Sequence, residues 1–334
     1  MLRVSGDRRN GRYADPSEDL LVARKFRHLY GPVPSRRLGR SLGVDLMPHK
    51  ICTYDCIYCQ IGRTTEKTLL RKEYVPVEEV LDEVKRFLEE GKTSADVISL
   101  GGSGEPTLHS KIGAVIEGIK KMTSIPVAVI TNGSLLYEGG VRQDLLQADR
   151  VLPSMDAVTR DVFMRINRPR GEFSVEKMVE GLVAFRKVYR GQIWLEILLC
   201  QGVNDTKDEL QRMREAVDRI NPDRIDLNTV VRPPSETWAR PLIQKELEEI
   251  QTFFGEKARI ILEFDRHPVS ISGEEIRGRV LDILSRRPLS LVDLSKWLRI
   301  PPAELEVHMG PLVKEGKVKV RPFRDTTYYE ASFD

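Results

Sequence analysis

The chain is short of cysteine, with four in 334 residues, and this excludes a disulfide framework as the source of its stability. No stretch approaches the roughly 18 consecutive apolar residues of a membrane-crossing helix. Met1 to Asp19 carries Arg8, Arg9 and Arg12 but also Asp7, Asp15, Glu18 and Asp19, and has no apolar signal core. A soluble, cytoplasmic protein with reduced thiols and no membrane partner is therefore expected. Charge of one sign is scarce too: the net charge of +3 is too small to define a partner. Its distribution is uneven, however. Residues 1–51 hold 11 Lys/Arg against 5 Asp/Glu, and residues 276–334 hold 11 against 8, which leaves an acidic middle. Basic ends admit a polyanionic partner, and solvated charged faces explain them equally simply. Low-complexity segments and internal repeats are missing.

What is present is a hydrophobic content of 40%, ample for a packed core, in a chain long enough for about two domains. After a basic, loose leader over 1–29, the Tyr30–Gly43 stretch is rich in proline and glycine and reads as a structured loop. It leads into a first strand over 42–46. Val77, Val80, Leu81, Val84, Phe87 and Leu88 then recur at helical spacing, and Gly91 closes the helix. Apolar strand runs follow at 97–100, 127–130, 150–152, 193–199, 224–227 and 259–264. Helical patterns fall between them, near 112–119, 175–185, 210–220 and 242–254. Such alternation predicts a parallel α/β sheet over about 30–268, with ligands beyond the carboxyl ends of the strands.

The pattern changes at about 276. Val280, Leu281 and Leu284 suggest one short helix. Ser290 can cap a second, with Leu291, Leu294, Trp297 and Leu298, and Pro301-Pro302 starts a third, with Leu305, Met309 and Leu312. Two alternating strands, 317–321 and 326–329, end the chain. Three helices and a ribbon over 276–334 resemble a winged helix-turn-helix domain, although Pro311 should kink or split the third helix.

Three of the four cysteines fall in one loop, Cys52-Thr-Tyr-Asp-Cys56-Ile-Tyr-Cys59. Three thiolates at this spacing can grip three corners of a cubane iron-sulfur cluster and leave the fourth iron open to a small molecule. A Cys3His zinc site that includes His49 is the alternative the spacing leaves open. The Cx3Cx2C pattern, with Tyr58 before its last cysteine, resembles the signature of the radical S-adenosylmethionine (radical SAM) superfamily. The resemblance covers about residues 40–265. It implies a partial (β/α)6 TIM-like barrel with its cluster loop after the first strand, and an oxidoreductase. Its metal ligands would be Cys52, Cys56 and Cys59, and its cofactors a [4Fe-4S] cluster and S-adenosylmethionine. A reduced cluster would cleave the latter to a 5′-deoxyadenosyl radical, fed by an external one-electron reductant such as ferredoxin or flavodoxin. No catalytic residue beyond the cluster is assigned.

Gly101-Gly-Ser-Gly-Glu-Pro106 is similar to the superfamily's Gly-Gly-Glu element, with Ser103 interposed. Gly102, Gly104 and Glu105 are accordingly candidates for binding the cofactor's amino group. Tyr58, Asn132, Ser154 and Asp156, beside the cysteines or at strand ends, are further cofactor-binding candidates, while Asn-Gly turns and helix caps account for such residues equally well. Arg36, Arg37, Arg40, Arg168, Arg170 and Arg232 are candidates for holding a phosphate or carboxylate of the substrate. The spelling Tyr30-Gly-Pro-Val-Pro-Ser-Arg-Arg37, the cysteine loop and Asn228-Thr-Val-Val-Arg-Pro-Pro234 resemble an uncharacterised branch of Fe-S oxidoreductases related to wyosine-base synthases, which modify tRNA. Those enzymes use a second cluster, for which this chain lacks cysteines. RNA is the expected substrate. The alternatives are radical modification of a protein or peptide, and a non-enzymatic redox-sensing regulator of DNA. Glu304, Glu306 and His308 on the third C-terminal helix are poor readers of DNA bases.

Overall fold

The computed structural model describes residues 26–91, 95–171, 173–261, 273–285, 287–298 and 300–332. The leader up to residue 25, the end of the strand expected over 259–264 and the junction between the two expected domains lie outside them.

Eight strands form one sheet in the order β1-β2-β5-β6-β7-β8-β9-β10. They are β1 (Leu29–Ser35), β2 (Gly39–Val44), β5 (Val97–Leu100), β6 (Val127–Thr131), β7 (Arg150–Pro153), β8 (Gln192–Leu199), β9 (Arg224–Thr229) and β10 (Ala258–Ile260). Two short strands, β3 (Ile51–Cys52) and β4 (Glu66–Lys67), pair in parallel beside the cysteine loop. From β2 to β10 every neighbouring pair is parallel. Parallel neighbours need crossovers, and the helices Val77–Glu90, Ile112–Met122, Gly139–Asp144, Val175–Val188, Lys207–Ile220 and Gln244–Phe254 supply them. Ser174 and Thr206 cap two of these by accepting the backbone N–H of the third helical residue. The barrel is not closed: among the described residues its end strands β1 and β10 do not pair.

β1 corrects the reading of 30–43 as a loop. The segment is an antiparallel hairpin of the edge strand β1 and the first part of β2, paired from Leu29 with Val44 to Ser35 with Gly39, and its register shifts between Tyr30 and Val33. Proline is tolerated at a sheet edge, where a missing N–H costs no ladder bond, and the irregularity absorbs Gly31 and Pro32.

One core joins the sheet to its helices. Leu42, Leu100, Ile116, Val129, Val151, Leu195 and Leu227 are fully buried in it, and each large aliphatic side chain so buried contributes about 1.5–3 kcal/mol. A separate core gathers Ile276, Val280, Leu284, Leu294, Leu305, Met309, Leu312 and Val318. It lies among the helices Gly273–Leu284, Leu291–Leu298 and Pro302–Lys314 and a sheet of β11 (Leu289–Ser290), β12 (Val318–Phe323) and β13 (Thr326–Ala331). This sheet has three strands, one more than the expected ribbon, because Leu289 and Ser290 pair with Tyr329 and Tyr328. Ser290 also caps the next helix, its Oγ accepting from Asp293 N at 3.0 Å. The third helix continues through Pro311; in the last turn, the missing N–H removes a single bond near a frayed end.

Candidate active site

The site grows out of two adjacent strand ends. Beyond Val44 the buried Asp45 carboxylate accepts from Met47 N at 3.2 Å. It also accepts from Ser103 N at 3.1 Å and Ser103 Oγ at 2.5 Å in the turn that follows β5. The turn answers: Lys50 N donates to Ser103 O at 2.7 Å, and Glu105 N to Ile51 O at 3.2 Å. Ser103, the departure from the Gly-Gly-Glu spelling, is thus a tether to the cysteine loop. The flanking glycines permit the approach. A Cβ on Gly102 would stand 2.7 Å from the Asp45 carboxylate, and one on Gly104 would stand 2.0 Å from the Ile51 carbonyl oxygen.

The cysteine loop is pinned from its other side. Asp55 N donates to Asn167 O at 3.0 Å and Ile57 N to Ile166 O at 2.9 Å, both at the end of the Arg160–Ile166 helix. Each sulfur receives a hydrogen bond from a different element. Lys50 Nζ lies 3.1 Å from Cys59 Sγ, Asn132 Nδ2 3.5 Å from Cys52 Sγ and Asn167 Nδ2 3.3 Å from Cys56 Sγ. Burial raises the Cys52 thiol to about 11, with the Glu105 charge adding to it. Burial and Asp156 raise Cys56 likewise. Burial pulls Lys50 down, but the charges of Cys59, Cys52 and Cys56 outweigh it and hold the ammonium above its ordinary value.

Glu105 is buried. Its Oε1 accepts from Thr107 N at 3.0 Å, Thr107 Oγ1 at 2.6 Å and Thr131 Oγ1 at 2.6 Å, and its Oε2 accepts from Asn132 N at 2.7 Å. Burial raises its pKa, with these donors acting against the rise. Oε2, carrying one bond, keeps acceptor capacity. Asn132 also donates Nδ2 to Thr53 Oγ1 at 2.7 Å. Asp156 is buried with its oxygens taken by Tyr58 Oη, Asn167 Nδ2 at 2.7 Å and Leu198 N at 3.0 Å. Burial moves its carboxyl up to about 6 against the pull of these donors. Asp156 therefore braces the cysteine loop through Tyr58 and Asn167. Ser154 bridges to Glu196 at the end of β7.

Of the six candidate arginines, three come together. Arg36, Arg37 and Arg232 line a cavity of about 310 Å³ within the open barrel, with Tyr58, Cys59 and Gly102 on its wall. Arg37 pairs with the buried Glu196 of β8, whose pKa burial raises and this guanidinium lowers, with a net fall. Arg36 Nη1 donates to Asn228 Oδ1 of β9 at 3.3 Å. The β1–β2 hairpin is thus tied to the far strands across the sheet's opening. The other three arginines are engaged elsewhere: Arg40 with Asp96 at 3.0 Å, Arg168 with Asp55 at 3.0 Å and with Glu236, and Arg170 with the Lys67 carbonyl. Sequence reasoning missed Lys50, Asn167 and Arg287. Lys50 could have been found from its place two residues before Cys52, whereas Asn167 and Arg287 reach the site only through tertiary packing.

These residues fit an iron-sulfur cluster. Three thiols from one loop, each facing a nitrogen donor, form a soft anionic ligand set, and binding would deprotonate them despite their raised pKa values. Among the described residues no three His, Cys, Asp or Glu side chains converge as ligands of a single ion, and His49 is exposed. The trio is not drawn together as a Cys3His zinc tetrahedron would be.

A cysteine loop at the carboxyl end of a strand, in an open parallel barrel, defines a class of metal-cluster enzyme. The chain belongs to the radical SAM superfamily, whose family model matches residues 46–217. Enzymes of this superfamily use a [4Fe-4S] cluster and S-adenosylmethionine and generally take electrons from an external reductant. Two relatives extend the likeness along the chain. An UPF0026 protein of Methanocaldococcus jannaschii is 32% identical over 90% of this chain and 94% of its own. A protein named GTPase Obg from Brachyspira hyodysenteriae is 38% identical over 88% of this chain, which spans only 44% of that longer protein. Among solved structures, a radical SAM methyltransferase from Sphaerobacter thermophilus shares the fold, with a TM-score of 0.51 at 15% identity over 66% of this chain and 65% of its own. No helix among the described residues is long and apolar enough to cross a membrane.

Proposed function

We propose that this chain is a radical enzyme acting on RNA, with Cys52, Cys56 and Cys59 as cluster ligands. The observation that carries the radical chemistry is the loop of three sulfurs, each facing one donor, beside the Glu105 turn. The reduced cluster, when bound, supplies the electron that cleaves S-adenosylmethionine to a 5′-deoxyadenosyl radical. Glu105 Oε2 would accept from the cofactor's ammonium, and Gly102 and Gly104 let the Glu105 turn approach the cysteine loop closely enough to place it there. Tyr58, Asn132 and Ser154 would line its surroundings, with Asp156 bracing them through Tyr58. The cavity lined by Cys59 takes the reacting part of the substrate.

The RNA assignment rests on the basic ends of the chain, on the arginines of the cavity and on the motif likeness to tRNA-modifying synthases. In this reading residues 30–268 form the catalytic domain and 276–334 a winged-helix-like domain that helps to grip the nucleic acid, after a basic leader over 1–29; the enzyme works in the cytoplasm.

Anaerobic cluster reconstitution tests the chemistry. The wild type should bind iron and release 5′-deoxyadenosine on reduction, and Cys52→Ala, Cys56→Ala and Cys59→Ala should do neither. A wild type with an intact, reduced cluster that releases none would overturn the radical reading. RNA binding should weaken steeply with salt, and a salt-insensitive complex or no binding would overturn the RNA assignment.

A further inference from the structure

The barrel cavity has a wall that the superfamily match, which ends at residue 217, does not cover. Arg287, just before β11, lines it together with Arg36 from the first hairpin and Arg232 from the end of β9. The C-terminal unit is held in place there by contacts to backbone: Arg321 Nη2 donates to Pro234 O at 2.8 Å and Tyr328 Oη to Val231 O at 3.0 Å. Among the described residues, Arg36, Arg37, Arg232 and Arg287 line the cavity with one carboxylate, Glu196, which pairs with Arg37.

We propose that Arg36, Arg232 and Arg287 form a subsite for a phosphate group of the substrate, and that the C-terminal unit completes the active site by supplying Arg287. This rests on reading the cavity beside Cys59 as the active site.

Three observations support it. The bond from Arg232 to a neutral amide is long, 3.4 Å to Gln60 Oε1. Arg232 Nε is buried and meets no acceptor among the described residues, a donor that a ligand oxygen would satisfy. Burial and then the charges of Arg232 and Arg36 bring Arg287 down to about 9, with Asp293 and Tyr30 acting the other way. Three guanidinium groups converge on one cavity, and an anion bound among them would offset their mutual repulsion. Guanidinium forks match phosphate oxygens in pairs, and a dianion uses more of this positive charge than a lone carboxylate does.

The test is equilibrium dialysis of radiolabelled inorganic phosphate against the full-length, cluster-loaded chain at low ionic strength, with and without S-adenosylmethionine. Arg232→Gln and Arg287→Gln should each weaken phosphate binding at least tenfold, Arg287→Lys should weaken it less, and the exposed control Arg190→Gln should leave it unchanged. Iron content and circular dichroism check that each variant is folded. Unchanged affinity in folded Arg232→Gln and Arg287→Gln overturns the proposal. So does displacement of phosphate by S-adenosylmethionine, because the subsite would then belong to the cofactor's carboxylate. Competition by a nucleoside 5′-monophosphate alone would assign the phosphate to a small substrate, and competition by a short single-stranded RNA alone would assign it to a nucleic acid. Competition by neither overturns the proposal. Because the readout is binding, phosphate capture without 5′-deoxyadenosine release would sink the radical reading and leave this subsite standing; release without capture would do the reverse.

Discussion

Lys50 Nζ lies 3.1 Å from Cys59 Sγ, the one cationic donor among the three that face the cysteine sulfurs. With Cys59 as a proposed cluster ligand, a cation beside it would stabilise the more negative, reduced state. Lys50→Met should retain iron and lower the cluster's reduction potential by about 60 mV, a tenfold change for a one-electron couple. Potentiometric titration followed by electron paramagnetic resonance measures it. An unchanged potential would show that the ammonium does not sense the cluster. Lys50 already has a positive φ of 57°, and methionine would bear a similar backbone strain.

Gly104→Ala should cost about 3 kcal/mol of stability and most of the bound iron. Its Cβ would press on the Ile51 carbonyl, one residue from Cys52, and force the cysteine loop away. Gly62→Ala is the comparison: its φ of +96° strains any side chain, but nothing lies within 4 Å of the added carbon. That variant should lose about 1 kcal/mol and keep its iron. Iron per chain and urea unfolding distinguish the two, and equal iron loss in both would refute the steric account.

The Arg37–Glu196 pair predicts a non-additive result. Glu196→Ala leaves a guanidinium largely buried without its carboxylate and should destabilise the protein by about 3–5 kcal/mol. The double variant Arg37→Met with Glu196→Met should recover most of this, because apolar groups of similar volume need no charge compensation. A double variant as unstable as the single one would mean that the pair acts through geometry and not through charge.

His109 supplies a pH dependence. It is fully buried, with Nε2 2.8 Å from the Val75 carbonyl and Nδ1 accepting from Lys111 N at 3.3 Å. One ring nitrogen must donate and the other accept, so the folded state holds the neutral ring, and burial depresses its pKa. The unfolded chain binds the proton more readily. Stability from this group is therefore complete above roughly pH 6.5 and declines as pH falls toward the depressed value, by at most about 1.4 kcal/mol per pH unit. Thermal unfolding of wild type and His109→Gln between pH 7.5 and 5 should show the wild type losing its melting temperature faster. Parallel curves would exclude His109 as the cause.

The parallel strands were legible because most carry short apolar runs, such as Val-Ala-Val-Ile at the start of β6, bounded by helical periodicity. β1 was not, since Gly31, Pro32 and Pro34 carry loop signals and only the pairing with β2 makes them a strand. In the site, the gathering of three cysteines in one loop was legible from their spacing. The use of their surroundings was not: Asp156 pointed toward a ligand by its place at a strand end, yet its oxygens are spent on Tyr58, Asn167 and Leu198. Spacing also could not separate Arg36, Arg37 and Arg232 from Arg40, Arg168 and Arg170. The difference lies in which carboxylates and carbonyls the fold brings within reach.

The three donors that face the sulfurs come from Lys50, Asn132 and Asn167. A nascent chain that has just exposed Cys59 offers thiols, but their surroundings are missing until Asn167 has emerged and the intervening strands have stacked. Metal insertion before that point meets a bare loop, prone to oxidation and to capturing the wrong ion. The order of synthesis thus favours loading a cluster onto a nearly finished sheet, and makes iron content a gauge of how completely residues 45–167 have folded.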